Sequence, residues 1–469
     1  MAERPNVVWL TVDSVRADRT TVGGHVRDTT PNLERIADDD RGTNFSACFA
    51  PGIWSPATTA SVLTGTYPSH HGLGGRNEVL PPELTTVPEL LSAEGYRTAG
   101  VSANPWFNGS TGLDRGFDRF EHLTKENIWS VGLGTLLRFF LGARRYSAGY
   151  TTDTSIHRTE FLVNGLAKRW LQSFEESEEP FFLYLHTKGA HNPYYPPDEH
   201  VDAFVDELET TGAEARQVAL EVQDNALEGI AEGLDTEREA ERYHTYRLVY
   251  DSLLRHVDAH VGDLFEYVQS LDLGNTVFVV TSDHGDLLGE RGLLSHRLAV
   301  CDPLIHVPMV VHGLDTNLAA DPDDVIGHVD LMQTLLNVAG ANTDGFQGVD
   351  LRSETRGFAI AQRSREYGQK SIDRIRDRNP DFDVSEYHTG AVTALRTQEY
   401  LYSRSDDLQR LVRIPGVGEN VVENNPEVAE ELRTLLEETV DSFADPVHSS
   451  RDAERSDAVE EQLSDLGYV

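Results

Sequence analysis

The chain has 469 residues, 39% of them hydrophobic, and a formal net charge of −38. That length and apolar content support one large core plus a smaller unit, whereas the charge excludes a nucleic-acid partner, because phosphate binding needs a basic surface. Two cysteines, Cys48 and Cys301, supply neither a disulfide framework nor a zinc cluster, and no stretch reaches the about 20 uninterrupted apolar residues of a membrane-spanning helix.

The acid is spread along the whole chain, and the bases are nearly all Arg, with Lys only at 125, 168, 188 and 370. A dense carboxylate surface stays hydrated in concentrated salt, which screens its self-repulsion, so the composition reads as adaptation to high salt. The first strand is expected from about Asn6, leaving no room for a signal peptide. The expectation is a soluble cytoplasmic protein.

Asn6 to Val12, NVVWLTV, reads as a buried strand ending at Asp13. Thr30 and Pro31 open a helix with Pro in its first turn, and Asn44 to Phe49 is a short extended piece. In GIWSPATTASVLTG, Ser55 is placed as the N-cap of a helix that runs to Leu63, with Pro56 at N1. A helix N-terminus also attracts anions, and a hydroxyl there becomes a nucleophile when a metal polarises it. Tyr67 to Asn77 is a polar loop with His70, His71 and Asn77. Arg97 to Ser102 is another strand, stopping before Asn104, Pro105 and Trp106. Ile128 to Gly142 is apolar but broken by Gly132, Gly134 and Arg138, and reads as a helical lid or packing segment.

Pro180 to Leu185, PFFLYL, is a strand ending at His186, and His191 follows in a loop. An acidic helical insertion is expected near 198–241. Tyr250 to Val268 carries apolar residues at helical spacing and leads into the strand at Val277. That strand, TVFVV, ends in Ser282, Asp283, His284 and Gly285. An acid beside an imidazole at the end of a buried strand is costly unless paired, and carboxylate plus imidazole suits a divalent cation. Asp283 and His284 therefore read as half of a metal site. Pro308 to Val311 is a strand and Asp330 to Val338 a helix. From about Gly348 short extended runs alternate with turns before a helix at Glu427 to Val440, and the tail from Asp445 to Glu461 reads as polar and poorly ordered.

Alternation of strand and helix predicts an α/β fold: a large mixed, mostly parallel sheet sandwiched by helices over residues 1–347, and a smaller α+β domain with an antiparallel sheet over 348–469. In such a sheet the strand ends collect on one edge. Asp13, Ser55, His186 or His191, and Asp283 with His284 would converge there on one divalent cation, Ca²⁺ first, with Mg²⁺ or Mn²⁺ as alternatives.

The segments NVVWLTVDSVRAD, TPNLERIA, ASVLTGTYPSHHG, HNPYYPP, VVTSDHGDLLGERGLLSH and HVDLMQTLLNVAG resemble the sulfatases of the alkaline phosphatase superfamily, of a haloarchaeal, arylsulfatase-like type. The resemblance implies Asp13, Asp283, His284 and Ser55 as metal ligands, with Ser55 the nucleophile. It also implies His191, His296, His186 and Asn77 as groups that bind the anion or protonate the leaving group. The family's nucleophile is usually Cys or Ser with Pro at +2 and Arg at +4, oxidised to formylglycine. Here Pro56 stands at +1 and Thr59 at +4, and Ser14 stands where many members have a second Asp. These departures count against formylglycine at Ser55 and leave three readings. They are a metal-dependent sulfatase acting on an anionic ester or sulfated glycan, a phosphodiester or phosphonate hydrolase or transferase, and a silent metal-binding relative.

Overall fold

A computed structural model of the protein describes residues 4–465 apart from 76, 206, 207, 209, 448 and 450–452. Seven strands form the main sheet: β1 (Asn6–Val12), β2 (Gly42–Asn44), β3 (Arg97–Ser102), β4 (Arg119–His122), β5 (Phe181–Thr187), β6 (Thr276–Thr281) and β7 (Met309–His312). Their order is β2-β7-β6-β1-β5-β3-β4. The β6-β1-β5-β3-β4 run is parallel, and β7 pairs antiparallel with both β6 and β2. The sheet is thus mixed and mostly parallel.

Side-chain alternation divides each central strand between two cores. Val8, Leu10 and Val12 of β1 join Phe278 and Val280 of β6 on one face, while Val7 and Trp9 join Val277 and Val279 on the other. Burial on both faces explains why these strands read as unbroken apolar runs. The covering helices are α1 (Ser55–Thr64), α2 (Leu133–Leu141), α3 (Glu160–Glu175), α4 (Gly212–Asp224), α5 (Ala240–Ser270) and α6 (His328–Ala339). Two expectations shift here. His186 lies inside β5 rather than beyond it, and α5 begins within the stretch assigned to the acidic insertion. Within that insertion α4 buries Ala215, Ala219 and Val222.

The C-terminal part adds an antiparallel sheet, β8 (Ala359–Arg363), β9 (Val392–Arg396), β10 (Tyr400–Arg404) and β11 (Gln409–Arg413), with helices α7 (Arg365–Arg376) and α8 (Pro426–Asp441). It touches the first part near α1: Gly52 bridges Gln362, and the rings of Trp54 and Tyr367 lie 4.5 Å apart. Of the tail read as poorly ordered, residues 448 and 450–452 lie outside the described residues, and the part from Asp457 on departs from that expectation. Asp457–Asp465 forms a helix, α9, whose Val459 and Leu463 are buried in the main core. Apolar residues four apart are sparse in this stretch, yet they share one helical face and anchor it.

Candidate metal and ester site

The parallel strands end on one edge, and β1, β5 and β6 deliver Asp13, His186 and Asp283 to it side by side. Trp54, in extended conformation, caps α1, so Ser55 is the first helical residue rather than the cap. Its hydroxyl makes no capping bond and instead donates to Asp13 Oδ2 at 3.3 Å, with His284 Nε2 at 3.5 Å. Two further contacts hold the β1 end in place. Gly189, at φ 53°, lies so close that a Cβ would sit 2.3 Å from the Asp13 backbone nitrogen and oxygen. The Ala190 amide then donates to Asp13 O at 2.7 Å.

Asp13, Asp283 and His284 present one ligand atom each within 4.8 Å of one another. His284 is anchored by Nδ1 on Gly285 O at 2.9 Å, which turns Nε2 toward Asp13 Oδ1 at 3.8 Å and Asp283 Oδ2 at 3.6 Å. His186 Nε2 lies 3.6 Å from an oxygen of each carboxylate. Asn104 donates to Asp13 Oδ2 at 2.8 Å. Ser14, in the left-handed region at φ 61°, ties the two acids together. Its hydroxyl donates to Asp13 Oδ1 at 2.6 Å and its amide to Asp283 Oδ1 at 3.2 Å. The residue that departs from the familiar Asp is thus part of the scaffold.

The electrostatics call for a cation. Asp283 Oδ2 is buried without a hydrogen-bond partner. Burial, reinforced by the charge of Asp13, raises the Asp283 carboxyl above its usual range. Burial would raise Asp13 too, but the facing imidazoles of His191, His186 and His284 hold it well below. Two buried acids, one with an orphaned oxygen, beside an imidazole whose outer nitrogen is fixed, fit a divalent ion.

A second group flanks the first. His296 Nδ1 lies 2.8 Å from Asp286 Oδ1, and the Tyr194 hydroxyl donates to Asp286 Oδ2 at 2.8 Å. The His296 ring centroid is 4.5 Å from that of His284 and 5.4 Å from that of His191, whose Nδ1 is held by Asn192 O at 2.7 Å. Buried Arg158 pairs with Glu160 at 3.1 Å and donates to Gly189 O and His191 O, fixing that loop.

Of the residues singled out from sequence, the structure brings together Asp13, Ser55, His186, His191, Asp283, His284 and His296. It does not bring Asn77. That side chain is exposed and accepts from Arg455 at 3.2 Å, and its carbonyl accepts from the Ala453 amide. Asn104 is the amide at the acids instead. Sequence reasoning passed over it because Asn-Pro after a strand reads as a turn, and it passed over Asp286 because it sits among the polar residues after His284. Both follow a strand end by a few residues, which was the available signal.

A family model described as Sulfatase matches residues 5–341. An N-acetylglucosamine-6-O-sulfatase of Bacteroides thetaiotaomicron is 23% identical over 419 residues, covering 75% of this chain and 70% of that protein. An arylsulfatase of Clostridium perfringens is 24% identical, covering 74% and 78%. Among solved structures, the phosphonate monoester hydrolase of Agrobacterium radiobacter superposes with a TM-score of 0.71 at 17% identity, over 97% of this chain and 100% of that one. A protein solved with its substrate D-glucosamine-2-N,6-O-disulfate gives 0.67 at 19% identity, over 94% and 98%. These structural likenesses confirm the α/β fold with its added antiparallel sheet.

Proposed function

The chain belongs to the sulfatase family of sulfuric ester hydrolases, and we propose that it cleaves sulfate monoesters with one divalent cation and the Ser55 oxygen as nucleophile. Asp13, Asp283, His284 and Ser55 would hold the ion, a set of three oxygen donors and one imidazole nitrogen that admits Ca²⁺, Mg²⁺ or Mn²⁺, with Ca²⁺ taken first. When bound, it neutralises ester charge and lowers the pKa of the oxygen it holds. Ser55, at the start of α1, is aimed at the ester sulfur. As the Ser55 oxygen bonds to sulfur and the ester S–O bond breaks, the imidazole of His296, kept neutral by burial and oriented by Asp286, would relay the Ser55 proton to the departing alcohol, with His191 and His186 flanking the anion, and water would then cleave the sulfated Ser55. The observation that carries this reading is the meeting of Asp13, Asp283 and His284 within 4.8 Å, with the Ser55 hydroxyl 3.3 Å from Asp13.

Relatives named for N-acetylglucosamine and ulvan make sulfated glycans one substrate class, and a relative named arylsulfatase makes small aryl esters another. The acidic composition supports work at high salt, and among the described residues no helix is long and apolar enough to cross a membrane. The test is turnover of 4-nitrophenyl sulfate, a phosphodiester and a phosphonate monoester with each cation at high salt. Sulfate should be preferred, and both Ser55→Ala and Asp283→Asn should lose turnover. Faster phosphonate cleavage, favoured by the missing Arg at Thr59, would move the reading to phosphoryl esters. Intact mass reads the Ser55 chemistry directly, because formylglycine has two hydrogens fewer than Ser.

A further inference from the structure

We propose that the alcohol half of the substrate is apolar, an alkyl or aryl chain rather than a sugar, and that it lies in the cavity walled by α2. This deepens the sulfate-ester reading above and rests on it for the position of the anionic head. The cavity has a volume of about 440 Å³ and reaches Asp13, Asn104 and His191, so it opens directly onto the acids and imidazoles of the site. Those three are buried, whereas Phe140 and Tyr150 at the other end are 50% and 75% exposed. The cavity therefore runs from a polar floor to an outer mouth.

Its walls between these ends are Pro105, Leu123, Ile128, Phe139 and Leu162. Most polar side chains that reach the cavity are engaged by the protein itself: Lys188 donates to the carbonyls of Ser155 and His157, and Arg158 pairs with Glu160, whereas the Thr159 hydroxyl and Gln462 Oε1 are buried without a partner. A sugar ring here would find these two groups for its several hydroxyls and would bury the rest against carbon, each losing its water without a protein partner. A hydrocarbon would lose nothing and gain for every methylene removed from water. Layering of polar depth and apolar wall matches an amphiphile entering head first. Outside the cavity lining, Trp129, Leu133, Leu137 and Leu141, on and beside α2, are all more than 60% exposed, a further apolar surface on the element that walls the cavity. The helix α9 closes one side, with Gln462 donating to Leu123 O at 3.0 Å and Asp465 reaching the cavity.

A second, polar cavity of about 310 Å³ reaches His191 from the other direction, past Ser295, His296, Arg297, Arg374 and Arg378. Its guanidinium and imidazole lining suits sugar hydroxyls better than the apolar walls of the first, so a glycan substrate would be seated there.

The experiment measures calorimetric Kd for ethyl, butyl and octyl sulfate and for glucosamine 6-sulfate on full-chain Ser55→Ala protein with Ca²⁺, alongside turnover of the same esters by the unaltered protein. The expected result is a Kd that falls about threefold to fourfold for each added methylene, with octyl sulfate bound more tightly than the sugar ester. Phe140→Gln, at a half-exposed position where the fold tolerates a polar group, should weaken octyl sulfate about tenfold and flatten the chain-length slope with its melting temperature kept. A Kd independent of chain length, or tighter binding of the sugar ester, overturns the proposal even if sulfate esters are hydrolysed. A steep chain-length slope without hydrolysis of any sulfate ester upholds the apolar site and overturns the hydrolase reading instead.

Discussion

Replacing Asp283 with Asn should make the cation-free protein more stable to heat and remove its response to cation. Asp283 is 1% exposed, and its Oδ2 faces the second buried acid with no donor to satisfy it. An Asn of the same shape keeps an oxygen to accept from the amides of His284 at 2.9 Å and Ser14 at 3.2 Å, while deleting the charge that Asp13 opposes. In the unaltered protein a cation at about one hundred times its Kd adds about 2.7 kcal/mol of stability. At about 2.1 cal/mol/K per residue, a chain of 469 residues unfolds with an entropy of about 1 kcal/mol/K. The melting temperature should therefore rise by about 3 °C with Ca²⁺, Mg²⁺ or Mn²⁺. Scanning calorimetry at fixed ionic strength, with chelator and with each ion, reads both effects. If the Asp283→Asn variant melts below the unaltered protein in chelator, or gains the same rise from cation, the argument that the two acids repel until an ion joins them is refuted.

Ser55→Ala should abolish turnover while leaving the cation-induced rise in melting temperature at least partly intact, because both carboxylates and His284 remain. Asp286→Ala should lower kcat about 10²-fold to 10⁴-fold with little change in KM, because His296 loses the acceptor that orients it; steady-state kinetics separates the two. Burial pushes the Asp258 carboxyl up to about 6, although the amides of Asn32 and Leu33 donate to it. A carboxyl raised in the folded chain stabilises it below the unfolded pKa, and that contribution is lost as pH rises through about 6. Asp258→Asn should flatten the loss of stability between about pH 4 and pH 6 in urea titrations, and an unchanged profile would contradict the assignment. Finally, with a net charge of −38, the melting temperature should climb between about 0.1 and 2 M KCl as screening removes self-repulsion; a flat or falling profile would count against adaptation to salt.

The strands at the heart of the sheet were legible because burial on both faces leaves runs such as VVWLTV and TVFVV with no competing pattern. Their chemistry was legible for the same reason. Asp13 and Asp283 are abrupt charges at the ends of apolar runs, and only a shared partner makes that tolerable. What escaped was carried by residues whose local reading was ordinary. Asn104 looked like a turn before Pro105, and its reach to Asp13 depends on how far the loop after β3 folds back. Asn77 sits in a Gly-rich loop that could have turned either way, and the tail draws it outward through Arg455. The α9 helix escaped because Val459 and Leu463 are two apolar residues in an acidic stretch, and their burial depends on a groove formed by distant parts of the chain. Ser14 reads as a departure from a familiar pattern, yet its hydroxyl and amide bridge the acids that pattern is built around.

The most direct test of the account is anomalous scattering from crystals grown with Mn²⁺. A single strong peak among Asp13, Ser55, Asp283 and His284 is the predicted result. A peak held instead by His284, Asp286 and His296, or none within reach of the Ser55 oxygen, would contradict it.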